Sequence, residues 1–264
     1  MTRRLVDNDT RRENLKQQRM LLMAERRFGR MFGRVLRELS AEMVEAFALT
    51  GTAPRLPDNA EQRIAAVFID MAQVMTDAFG SRVLEQGKAA GHDLEVKGFA
   101  EFFQRVALEY IAQEAIRRRI TSIAETTRNQ IVRQVVAGQT DGLGVAEIAS
   151  NIAGTVRNMS TLRGALIART ETHGAANHAA DQAARATGLN LMKEWVAVND
   201  HRTRDGDDEW NHREMDGEIV AMDEPFRFES KNGAVDLLRF PGDPNGSPGN
   251  CINCRCSVAH VVIE

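Results

Sequence analysis

The sequence predicts an α+β fold: a mostly helical N-terminal part followed by a small mixed α+β domain with a short-stranded sheet. Three observations carry this. Apolar residues recur at steps of three and four through most of the first 187 positions, the period of a helix with one buried face. Aromatic residues are only 5% of the chain while methionine is plentiful, with 11, which favours helix packing over a large β-sandwich. Four of the six prolines lie beyond position 220, among glycines and aspartates that separate short runs of strand-forming residues.

Taken in order, residues 10–48 hold no proline, and Phe28, Phe32, Val35, Leu39, Met43 and Phe47 mark an amphipathic first helix. Gly51, Pro54 and Pro57 break it. A second helix is expected over 59–79, with Ile64, Val67, Phe68, Met71 and Met75 on one side. A looser stretch at 87–97 precedes one long helical pattern, from Phe99, Phe103, Val106 and Tyr110 through Ile116, Ile120, Ile123, Ile131 and Val135. Gly138 and the glycine-rich run after it end that pattern, because glycine readily takes the left-handed conformation that closes a helix. Residues 145–156 read as a short helix and 161–187 as a longer one, stopped at Gly188. Strand character then appears at 191–198, 218–222, 236–240 and 256–263. The expected division is a helical docking or assembly region, 1–137, and a compact α+β domain, 138–264. No internal repeat of fixed period is visible.

Composition sets the class. The 264 residues are 43% hydrophobic and 27% charged with a formal net charge of −3, too apolar for wholesale disorder. No run approaches the roughly 20 apolar residues of a membrane span. The first residues are basic but have no apolar core behind them, so a secretory signal is not expected, and a soluble chain made in the cytoplasm is. The three cysteines, at 251, 254 and 256, are odd in number and confined to one short segment, unlike a secreted disulfide scaffold. Charge is polarised: residues 1–40 carry eleven basic and five acidic side chains, residues 190–264 eight basic and fifteen acidic. The basic end reads either as a solvated helix face or as an arm for nucleic acid or an acidic partner.

Three segments carry chemistry. In Asn250-Cys251-Ile252-Asn253-Cys254-Arg255-Cys256, thiolates lie close enough to share a zinc ion, which takes four tetrahedral ligands. His212 or His201, with Asp200 or Asp216, are the available complements; the other reading is small buried thiols at a strand start. The second segment runs from Trp195 through Asp200-His201-Arg202-Thr203-Arg204 to His212 and Met215-Asp216-Gly217. Its polar groups suit either acid–base work on a phosphodiester or a structural hydrogen-bond network. The third is Ala168-Arg169-Thr170-Glu171-Thr172-His173 inside the 161–187 helix, where Arg169, His173 and Asn177 share a face at four-residue spacing. No phosphate loop, nucleophile elbow or HExxH helix is present.

Together and in this order, Ala-Arg-Thr-Glu-Thr, Trp-x4-Asp-x-Arg-Thr-Arg, His-x2-Met-Asp-Gly, Pro-Gly-Asp-Pro and Asn-Cys-Arg-Cys resemble the phage Mu F-like, or phage head morphogenesis, family of minor capsid proteins, over roughly residues 140–264. The resemblance implies a non-enzymatic minor head protein of a tailed phage, prophage or phage-like particle. It would act at or near the portal during head assembly or DNA delivery. Portal, major capsid or scaffold proteins would be its partners, and packaged DNA would meet the basic N-terminal arm. No membrane is implied in the assembled particle; the protein would pass from host cytoplasm to virion. The positions carried over are Arg169, Thr170, Glu171, Trp195, Asp200, Arg202, His212, Asp216, Gly217, Asn253, Cys254, Arg255 and Cys256. A structural zinc at Cys254, Cys256 and His212 plus one more ligand fits that pattern, and Cys251 lies outside it. Some relatives carry an added toxin domain; with eight residues after Cys256 none is expected here. The alternative function is a zinc-dependent nuclease or toxin-like enzyme built on the same His/Cys cluster.

Overall fold

A computed structural model describes residues 2–4, 10–92 and 99–263, and side chains within 16–92 and 100–263. The first residues of the basic arm therefore lie largely outside the described side chains. The chain runs β1 (Thr2–Arg4), α1 (Thr10–Thr50), α2 (Ala60–Ala89), α3 (Phe99–Ala112), α4 (Glu114–Thr140), α5 (Val145–Ala186), β2 (Leu191–Val196), β3 (Ile219–Ala221), β4 (Phe226–Glu229), β5 (Val235–Leu238), α6 (Pro248–Cys251) and β6 (Ser257–Ile263). This is the mostly helical chain with a small C-terminal sheet region that the patterning predicts.

Three helices differ from the expectation. The 99–137 pattern is two helices, because Gln113 takes an extended conformation (φ −60°, ψ 134°) and its carbonyl accepts from Ile116 and Arg117, starting α4 afresh. Neither proline nor glycine marks that break. Residues 145–156 and 161–187 are instead one helix, α5; Arg157, Asn158, Met159 and Ser160 between them include no breaker, and Ser160 is buried. α2 continues ten residues past Phe79, burying Val83 and Leu84. By length and composition α2 would span a bilayer, but 50% of its most apolar stretch is buried within the molecule.

Two compact units are built from discontinuous segments: 25–69 with 113–168, and 1–24 with 70–112 and 169–264. In the first, Met43 and Phe47 of α1, Ile131 and Val135 of α4, and Ile148 and Ile152 of α5 form one core cluster. α1 and α5 approach closely there: a Cβ on Gly164 would lie 2.5 Å from the Gly33 nitrogen and 2.6 Å from the Gly29 carbonyl oxygen. Glu38 and Glu42 of α1 both pair with Arg63 of α2, at 2.8 and 2.6 Å.

The second unit holds a four-stranded antiparallel sheet of order β1-β6-β2-β3 and a separate β4-β5 hairpin. Leu191 and Val258 of the sheet pack with Ala180, Ala183 and Ala184 of α5, Val83 and Leu84 of α2, and Phe103 of α3. The alanine run in α5 leaves room for the sheet to come close. At the far end of β2, Trp195 meets Phe226 and Phe228 of the hairpin edge-on, at 5.3 and 4.9 Å between ring centres. Cys251, Cys254 and Cys256 complete this aromatic core.

Candidate functional site

The three motif segments converge in the second unit, where β2 ends and β6 begins. α5 supplies the floor. Thr170 Oγ1 accepts from the Asn253 backbone N–H at 3.1 Å, and Arg169 donates to the Asn253 side-chain oxygen at 3.2 Å. Two turns further on, the buried Asn177 amide donates to the carbonyls of Pro241 and Cys256 at 2.9 and 3.0 Å, while its oxygen accepts from Val258 N–H at 3.0 Å. Asn253 sits at φ 62°, a left-handed conformation that asparagine tolerates better than most residues. The polar stripe expected on the 161–187 helix thus fixes the 253–258 segment. Glu171 and His173 are buried on the same helix.

The second segment forms a ring of loops around β2. Arg255 makes a two-pronged ion pair with Asp200, one contact at 2.6 Å, and the Asp200 carboxylate also accepts from the Arg202 backbone N–H at 2.9 Å. The Arg255 guanidinium holds the Asp200 carboxyl well below the usual carboxylate range, with the Arg202 N–H acting in the same direction. Asp216 accepts from Ala197 N–H at 2.8 Å and from the Asn199 amide at 2.6 Å, which ties the turn after β2 to its strand. Gly217, at φ 84°, closes that turn by donating its N–H to the Trp195 carbonyl at 2.9 Å.

At the centre, His212, Cys254 and Cys256 are 1%, 2% and 3% exposed, and their donor atoms lie within 4.8 Å of one another. His212 Nδ1 stands 3.6 Å from Cys254 Sγ and 3.5 Å from Cys256 Sγ. Trp195 packs edge-on against the His212 ring at 5.5 Å. Behind the ring, His212 Nε2 is 2.6 Å from Asn250 Oδ1, and the Asn250 amide donates to Asp236 at 3.1 Å. The same Asp236 oxygen accepts from the backbone and hydroxyl of Ser247. Asn250 must therefore turn its NH2 towards Asp236 and its carbonyl towards His212. In the neutral ring Nε2 carries the hydrogen, and the Nδ1 lone pair faces the two sulfurs. The Cys254 thiol is held well below its usual range by a hydrogen bond from Cys256, with His212 assisting against burial. Cys256 is pushed up by its contact with Cys254 and by burial.

Cys251 is buried nearby but stands outside this donor group; His201 is exposed, and Asp200 and Asp216 are engaged as described. None of the three cysteines forms a disulfide. Asn250 and Asp236 are site residues that sequence reasoning missed. Asp236 left one signal, as a carboxylate two residues from Leu238 on the inward side of β5. A cavity of about 10 Å³ adjoins the cluster, lined by Arg202, Thr203, Arg204 and Asn253 among others. That is room for about one water molecule.

Comparison with known proteins covers the same region of the chain. Residues 129–259 match the family model of the Phage Mu protein F like protein. The chain is 25% identical over 267 residues to the minor head protein GP7 of Bacillus phage SPP1, covering 92% of this chain and 83% of that one. It is 28% identical over 156 residues to the NAD(+)--arginine ADP-ribosyltransferase EFV of Enterococcus faecalis, which is 58% of this chain but 29% of that protein. No solved structure matches. The matched region takes in α5, the sheet strands β2 and β3, the hairpin and the His/Cys cluster, and the C-terminal half of this chain belongs to the Phage Mu protein F like family.

Proposed function

We infer that this protein is a minor head protein of a tailed phage, prophage or phage-like particle, acting structurally in head morphogenesis and becoming part of the virion. The observation that carries this is the similarity to the minor head protein GP7 along 92% of the chain, helical half included. The chemistry of the shared motifs supports a structural role. Arg169, Thr170, Asp200, Asp216, Asn253 and Arg255 spend their polar atoms on one another and on backbone groups, holding loops in place. A nuclease or toxin-like activity needs a substrate at the His/Cys cluster. The cluster is buried, and the adjoining space of about 10 Å³ is far below the roughly 300–1,000 Å³ of a ligand pocket, which favours the structural reading.

Residues 1–137 are the docking region in this reading, and 138–264 the head morphogenesis domain. Large apolar side chains stand in solvent on its helices, Leu49 at 80% and Met23 at 72% exposure among them, as docking to another head protein would use. Arg26, Arg30 and Arg34 are exposed on α1 at four-residue spacing, so they share a basic face suited to packaged DNA or an acidic portal surface without sequence reading. The portal is the favoured partner, ahead of major capsid and scaffold proteins. Co-expression of the tagged full chain with each head protein of the particle that encodes it tests this. Retention of the portal protein through a salt wash is expected. Retention of the major capsid protein alone would reassign the partner.

A further inference from the structure

We propose that His212, Cys254 and Cys256 hold a zinc ion, through Nδ1 and two thiolates, with a water molecule as fourth ligand. Zn–S bonds of about 2.3 Å and a Zn–N bond of about 2.0–2.1 Å at tetrahedral angles place sulfur and nitrogen about 3.5 Å apart. The two separations here are 3.5 and 3.6 Å. The imidazole is prepared for the ion, since the Asn250 carbonyl occupies Nε2–H and Asp236 holds Asn250 in that orientation. A partner on the far nitrogen that fixes the ring and its tautomer is the usual support of a metal-bound histidine. Once binding has taken both thiol protons, two thiolates and Zn²⁺ make a neutral set, so no net charge is left in the aromatic core. Binding releases the remaining thiol hydrogens as protons to solvent. The cavity beside the cluster, bordered by Thr203 and Asn253, is the size of the fourth ligand. This inference stands apart from the head-protein reading.

The test is metal content of the full chain purified without chelator, with cobalt replacing zinc in a second sample. About one zinc per chain is expected, and the cobalt form should show tetrahedral visible bands with thiolate charge transfer. Cys251→Ser keeps the metal, while Cys254→Ser and Cys256→Ser lose it. A folded wild-type chain that takes up no zinc from added zinc salt, leaving two thiols hydrogen-bonded to Nδ1, overturns the proposal. So does an octahedral cobalt spectrum, or loss of metal in a folded Cys251→Ser chain. The wild-type measurement stands even if a cysteine variant fails to fold.

Discussion

His178 shows how far one buried side chain can set the behaviour of the fold. It is 5% exposed on α5, between the rings of Tyr110 and Phe240 at 5.1 and 5.6 Å. Burial, with Arg239 nearby, pushes its pKa down to about 4, against smaller opposing effects from Asp243 and a backbone bond to Val106. A folded-state value below the unfolded one, near 6.5, means that the unfolded chain binds the extra proton. The stabilisation from the neutral ring is complete above pH 6.5 and is lost as pH falls towards 4, a total of about 3 kcal/mol. Denaturant midpoints should fall between pH 7 and pH 4.5, and less steeply in His178→Gln. His260, pushed to about 3 by burial, adds a slope of the same sign, which the variant retains. A midpoint independent of pH over that interval would contradict this account. Such residues were not legible in the sequence. His212, Cys254 and Cys256 stood out by type and spacing, whereas His178 is a histidine in an alanine-rich helix. Asn250 and Asp236 acquire their part only when β5 and α6 fold next to each other.

At the level of elements, periodicity predicts each helix where an apolar face repeats, and it fails where nothing local marks a boundary. α5 reads as two helices because residues 157–160 interrupt the apolar stripe; the interruption is compositional, and the backbone continues. Gln113 breaks a helix with no breaker residue. β4 was missed as well, its Phe226 and Phe228 defined by alternating burial against Trp195 rather than by any long run. β1 is three residues held by pairing with β6, a contact across the whole sequence. The glycines of α5 give a direct test of helix packing. Gly164 faces the backbone of Gly29 and Gly33, so Gly164→Ala forces α1 and α5 apart and should cost about 1–3 kcal/mol. Gly154 on the same helix is exposed with nothing within 4 Å of an added Cβ. Gly154→Ala should therefore stabilise the chain by about 0.5–1 kcal/mol through helix propensity alone. Chemical unfolding of the two variants checks the pair; equal effects would mean that the close approach is not tight.

For the whole molecule, the linear division into 1–137 and 138–264 and the two compact units are different partitions of the same chain. The units interleave because α1, α2 and α5 each contribute residues to both, and no linker composition marks where one unit passes to the other. The motif-bearing half was legible because its motifs follow one another in a recognisable order and spacing, and the fold then pairs them, Arg169 with Asn253 and Arg255 with Asp200. The helical half shows exposed apolar and basic side chains, Leu49 and Arg26 among them, and no short motif marks it. What unites both halves is the match to GP7 along nearly the full chain. The decisive measurement is the protein content of heads purified from cells producing the particle that encodes this chain. Quantitative mass spectrometry should find the chain in density-purified heads, at a few copies per head and resistant to salt. Heads of normal composition that lack it, with the chain left entirely in the soluble fraction, would contradict the account.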